Sequence, residues 1–182
     1  MKRVLLSTDP DAAMMTGKSD SAEWDGERFI PRGCVVGIDP GLTVGIAFYN
    51  PNAAIAFCDE IDLRPLQDLG ERLAELRDSL SLILGMAAPS LLAIERPFGR
   101  GAFTSETPGV ICAVCHMVAF DHQIPRREYT ASAIKKAITG SGKASKRDVM
   151  DAVASRYGFA PENDHQADAA AVAVLAWARA HQ

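Results

Sequence analysis

The chain has 182 residues, 48% of them hydrophobic and 23% charged, with a formal net charge of −4. That length builds one domain with a proper core but hardly two lobes, and the balance is ordinary for a soluble globular protein. No stretch is long and apolar enough to span a bilayer; the nearest, after Asp168, is broken by Arg179. The apolar run after Lys2 and Arg3 stops at Ser7, too short for a signal-peptide core, so the expected location is the cytoplasm.

Residues 1–32 are rich in Asp, Ser, Gly and Met without a sustained period, and read as a disordered tail ahead of a domain over 33–182. The core begins with an apolar run ending in Asp39, a tight turn at Asp39-Pro40-Gly41-Leu42, and a second run from Thr43 to Tyr49. Proline and glycine suit that reversal, and the unbroken apolar character suits a strand buried on both faces. A third strand is predicted from Ala54 to Leu63 after a turn at Asn50-Pro51-Asn52. Leu66, Leu69, Leu73, Leu76, Leu80 and Ile83 then recur at steps of three and four, predicting a helix with Pro65 in its first turn and Gly85 at its exit.

A second buried strand, Leu91 to Glu95, again ends in an acid. A loop of Arg96, Pro97, Phe98, Gly99, Arg100 and Gly101 follows, then a helix from Ser105 or Thr107 to Phe120 and a short strand from Ile124 to Tyr129. Thr130 caps a helix through Ile138, and Ser145 opens another that ends near Tyr157. The loop Thr139-Gly140-Ser141-Gly142-Lys143 fails the phosphate-loop pattern twice, since 137 and 144 are both alanine. Asn163 or Asp164 caps a last helix that is apolar nearly all round beyond Asp168.

The four cysteines, without a secretion signal, read as reduced thiols. Cys112-Ala113-Val114-Cys115-His116 matches the haem-attachment spacing by chance, inside what reads as a buried helix. A zinc reading needs a second ligand pair, and Cys34 and Cys58 are 24 residues apart in predicted strands.

Two patterns carry chemistry. The negative net charge counts against a nucleic-acid partner, yet Arg126, Arg127, Lys135, Lys136, Lys143, Lys146 and Arg147 fall within 22 residues against one acid, Glu128. Such a track can be a solvated surface or can neutralise a phosphate backbone. The second pattern is that three buried elements each deliver an acid at an end: Asp39, Glu95 and Asp168, with Asp164 and His165 beside the last. Gathered carboxylates repel unless a divalent cation neutralises them, and oxygen ligands with at most one imidazole suit Mg2+ or Mn2+. Two such ions a few ångströms apart perform in-line phosphodiester cleavage.

These residues, in this order, resemble the RuvC family of Holliday junction resolvases. Gly37-Ile38-Asp39-Pro40-Gly41 is similar to the family's opening motif and Ala93-Ile94-Glu95 to its second; Lys135 with Thr139 to Lys146 is similar to its lysine-bearing segment, and Gln166-Ala167-Asp168-Ala169 to its last. The resemblance implies an α/β, RNase H-like fold, a mixed five-stranded sheet flanked by helices. It implies a homodimeric, Mg2+-dependent endodeoxyribonuclease, with Mn2+ as a substitute and two ions per site. The substrate is a four-way DNA junction, cut to a 5′-phosphate and a 3′-hydroxyl, and a branch-migration motor is an implied partner. Asp39, Glu95, His165 and Asp168 become metal ligands, Asp164 being second choice for the fourth place. Lys146 supports charge at the scissile phosphate, and Phe98, Arg100, Lys135, Lys136, Lys143 and Arg147 contact DNA. The helix from Gly109 to Phe120 is the expected dimer element. Three rivals remain at this point: another RNase H-fold nuclease for branched DNA, an actin-like ATPase or kinase fragment, and a non-catalytic DNA-structure binder.

Overall fold

A computed structural model describes residues 33–97 and 108–181, and the backbone of 22–24 and 29–31. Phe98, Arg100 and the start expected for a helix at Ser105 or Thr107 lie outside the described residues. Within the segment read as a tail, β1 (Ala22–Trp24) and β2 (Phe29–Pro31) pair as an antiparallel ribbon. Three residues per strand are too few to register as a period.

The main sheet has five strands: β3 (Val35–Asp39), β4 (Thr43–Asn50), β5 (Ile55–Asp62), β6 (Leu91–Glu95) and β7 (Arg126–Tyr129). Their order is β5-β4-β3-β6-β7. β3, β4 and β5 form an antiparallel meander, while β6 and β7 continue from β3 in parallel. The mixed five-stranded α/β architecture expected from the sequence is the one observed.

Among the described residues five α-helices cover both faces: α1 (Leu69–Ala87), α2 (Pro108–Asp121), α3 (Ala131–Thr139), α4 (Lys146–Tyr157) and α5 (Asp164–Ala180). Strand side chains alternate between faces, which divides the core in two. Val36, Ile38, Ile46, Phe48, Leu92 and Ile94 pack with α1 and α2. Val35, Ala47, Tyr49, Leu91 and Ala93 pack with α3, α4 and α5. Asp39 and Glu95 share the parity of the second set, so both carboxylates project from the face that α5 covers.

Local chemistry accounts for the helix ends. Thr130, Ser145 and Asn163 cap α3, α4 and α5, each accepting from a backbone N–H in the first turn, and Ser145 forms a reciprocal capping box with Asp148. The ends expected for α1 are corrected. Asp68, not Pro65, sets its start by accepting from the Glu71 N–H, and the helix runs through Gly85 to end at Ala88, left-handed with φ 39. The Ala88 N–H closing on the Leu84 carbonyl supplies the stop that glycine was expected to provide. Among the described residues no helix is long and apolar enough to cross a membrane.

Candidate active site

The site forms where the C-terminal ends of β3 and β6 meet the first turns of α5. Its geometry depends on how closely α5 can approach the sheet. A Cβ on Gly37 would lie 2.2 Å from the Ala169 carbonyl oxygen, and one on Gly45 only 2.1 Å from that of His165. Any side chain at either position collides with helix backbone. On the helix side Ala169, Ala170 and Ala173 are fully buried, so small residues on both partners set the contact.

That contact carries His165 and Asp168 to Asp39. The His165 Nδ1 is 2.9 Å from Asp39 Oδ2, and the ring nitrogen donates when the carboxyl is ionised. Asp164, one residue earlier, pairs with the Lys146 ammonium at the start of α4, and its charge still reaches Asp39 and Asp168. The two candidates for the fourth ligand differ in their direct partners: His165 meets Asp39, and Asp164 meets Lys146. The α5 start is anchored from β5 and the preceding loop. Asn163 Nδ2 donates to Glu60 Oε2 at 2.6 Å, and buried Gln166 accepts from the Glu162 N–H at 2.9 Å.

Asp39, Glu95 and Asp168 act on one another through space. Burial, and next the Asp39 and Asp168 charges, push the Glu95 carboxyl up to about 7, against the pull of Lys135 and Lys146. Burial and Asp39 push Asp168 up to about 6, with Lys146 and Lys135 opposing. Burial also raises Asp39, offset in part by the hydrogen bond from His165 and by Lys146. Asp164 shifts the opposite way, held down by its bond to Lys146, whose own pKa is raised by that bond. The acids are not a closed ligand set. Among the described residues, the trio whose ligand atoms all lie within 4.8 Å of one another is Cys112, His116 and Glu128, elsewhere in the fold. Three carboxyls held protonation-prone by burial, with the Asp39 charge adding to the rise of the other two and one imidazole at their edge, fit a hard divalent cation in chemical type.

The basic residues divide into two groups. Lys135 on α3 and Lys146 on α4 act electrostatically on the acids. Lys136 on α3, Lys143 in the following loop and Arg147 on α4 are exposed, and Arg147 stands 3.9 Å from Asp151. Sequence reasoning missed Glu60 as the anchor of Asn163, and missed the role of Gly37 and Gly45. Two glycines of equal parity on adjacent apolar strands were the available signal for a closely packed helix.

A family model for "Crossover junction endodeoxyribonuclease RuvC" matches residues 35–176. The protein of that name from Prochlorococcus marinus subsp. pastoris is 34% identical over 146 residues, covering 77% of this chain and 93% of the relative. The one from Gloeobacter violaceus is 28% identical over 154 residues, covering 79% and 87%. Among solved structures, Thermus thermophilus RuvC in complex with Holliday junction substrate superposes with a TM-score of 0.71 at 26% identity, covering 82% of this chain and 97% of that one. The yeast mitochondrial Holliday junction resolvase Ydc2, at 15% identity and a TM-score of 0.53, shares the fold. The sheet order, the acids at its strand ends and these matches agree: the chain has the RNase H-like fold and belongs to the RuvC family of crossover junction endodeoxyribonucleases.

Proposed function

We propose that the protein is a Mg2+-dependent endonuclease that resolves four-way DNA junctions, each subunit of a homodimer hydrolysing one phosphodiester. The observation that carries this is the convergence of Asp39, Glu95 and Asp168 from three separate elements, close enough that Asp39 and Asp168 raise Glu95 and Asp39 raises Asp168 beyond what burial does. Asp39, Glu95, His165 and Asp168 would hold two Mg2+ ions, with Mn2+ as a substitute; the pairing of Asp164 with Lys146 supports His165 in the fourth place. When bound, the ions would supply Lewis acidity at the phosphate and lower the pKa of a bound water, making it a better nucleophile. Water attacks phosphorus and the bond to O3′ breaks, leaving a 5′-phosphate and a 3′-hydroxyl whose oxygen takes a proton from solvent. Lys146 and Lys135 set positive charge beside the phosphate under attack.

Lys136, Lys143 and Arg147 follow the DNA backbone from the exposed side of α3, α4 and their loop. Phe98 stacks at the junction centre and Arg100 meets phosphate, both in the segment outside the described residues. Met117 and Phe120 on α2 are 48% and 67% exposed, and Leu82 on α1 is 53% exposed, which supports a dimer interface along these helices. Residues 33–182 make up the nuclease domain, working in the cytoplasm beside a branch-migration motor.

The test is cleavage of a synthetic four-way junction, with a linear duplex of the same arm sequence as control. Paired symmetrical nicks in the junction that require Mg2+ or Mn2+ are expected, with the duplex left intact. Equal cutting of both, or cutting in the presence of a chelator, overturns the proposal. For the fourth ligand, His165→Ala should slow cutting at least about tenfold and more than Asp164→Ala does, on the scale of a disturbed metal shell. A harmless His165→Ala hands the role to Asp164.

A further inference from the structure

The sheet face opposite the acids carries a second grouping of metal-type ligands. Cys112 and His116 stand one turn apart on α2, and Glu128 on β7 pairs in register with Ile94, which packs toward α1 and α2. His116 Nε2 is 2.8 Å from Glu128 Oε1, and Arg96 Nε donates to Glu128 Oε2 at 2.9 Å. The Cys112 sulfur completes the trio, all three ligand atoms lying within 4.8 Å of one another. Cys112 is 5% exposed, whereas the His116 and Glu128 side chains are each 30% exposed, so the grouping opens to solvent on one side.

We infer that Cys112, His116 and Glu128 form a site for a thiophilic divalent cation of the Zn2+ class, distinct from the acid site. One sulfur, one imidazole nitrogen and one carboxylate oxygen make a donor set that Zn2+ accepts, with the fourth position left to water. Hard ions such as Mg2+ would not choose a thiolate. A thiolate and a carboxylate offset the two charges of the ion, and Arg96 leaves one positive charge beside Glu128. Arg96 fixes the second Glu128 oxygen, as outer-shell partners of ligating carboxylates do. Cys115 takes no part: it is fully buried in the core, so the Cys-x-x-Cys-His spacing yields neither a haem attachment nor a thiol pair. Burial and the Glu128 charge hold the Cys112 thiol up to about 11, so binding releases the Sγ proton to solvent as the cation takes its place. The sequence hid the site because its third ligand lies on another element.

Occupancy ties α2 to β7 and, through Glu128, to Arg96, the residue that follows Glu95. Metal-free full-length protein titrated with Co2+ provides the test. A thiolate-to-cobalt charge-transfer band that saturates at one equivalent and is bleached by Zn2+ is expected. Cys112→Ser should abolish the band, while Cys58→Ser and Asp39→Asn should keep it. His116→Gln, at a partly exposed position, should weaken Co2+ binding at least about tenfold, and it serves if Cys112→Ser does not fold. The inference is overturned by absence of the band in folded wild type, by its survival in folded Cys112→Ser, by its loss in Cys58→Ser, or by unaltered binding in His116→Gln.

Discussion

Asp39→Asn is expected to lower junction cleavage at least about a thousandfold while raising the melting temperature of the metal-free protein at pH 8. The first effect follows from removing an anionic ligand from the centre of the proposed site. Metal stabilisation of transition-state charge is worth several kcal/mol, and each ~1.4 kcal/mol is tenfold in rate. The second follows from the field among the acids. Asp39 is the largest charged contributor pushing Glu95 and Asp168 up to about 7 and about 6. A carboxyl with a raised folded pKa binds its proton more tightly in the native state than in the unfolded one. Its stabilisation is complete below the ordinary carboxylate range and is lost as pH rises through the folded value. The metal-free wild type should therefore weaken between about pH 4 and 7. Glu95 alone contributes on the order of 1 to 2 kcal/mol to that loss, allowing for solvent screening. Asparagine at 39 removes one charge, keeps an oxygen to accept from His165, and relaxes its two neighbours. Adding Mg2+ should raise the melting temperature of wild type more than that of the variant, by linkage. Undiminished cutting by Asp39→Asn, or a lower metal-free melting temperature at pH 8, would sink this account of the site.

The three acids were legible in the sequence for a simple reason. Each ends an apolar segment, and a carboxylate at the edge of a buried run stands out whatever the fold. The strands over 35–39, 43–50, 55–62 and 91–95 were equally visible, because buried strands in a mixed sheet read as apolar runs bounded by turn residues. Partnerships across the fold were not legible. Nothing near Asn163 points to Glu60, and nothing near His116 points to Glu128, since those bonds depend on how β5 and β7 are placed in the sheet. The competition between His165 and Asp164 stayed open for the same reason. His165 and Asp164, neighbours on one helix start, differ in their direct partners, Asp39 for the first and Lys146 for the second, which the sequence alone does not show.

Gly45→Ala is expected to damage both stability and cutting, though no atom of Gly45 takes part in chemistry. Its added methyl would lie 2.1 Å from the His165 carbonyl oxygen and 2.6 Å from the carbon. Both are backbone atoms at the start of α5, so no side chain can swing aside. Either α5 lifts from the sheet or β4 bends, and Gly45 pairs directly with Asp39 in the β3–β4 register. Movement at this point therefore separates His165 and Asp168 from Asp39. Overpacking of this kind costs about 3 kcal/mol, and a chain of this size loses roughly 2 to 4 °C of melting temperature per kcal/mol. Displacement of reacting groups by about 1 Å costs cutting a further factor of ~100. Gly85→Ala is the control, since its methyl would meet only His122, at an ordinary 3.5 Å. Inside α1 that change should stabilise by about 0.5 to 1 kcal/mol and leave cutting unaltered. A Gly45→Ala protein that melts and cuts like wild type would mean that α5 does not rest on β4 as described, and the site would lose the contact that assembles it.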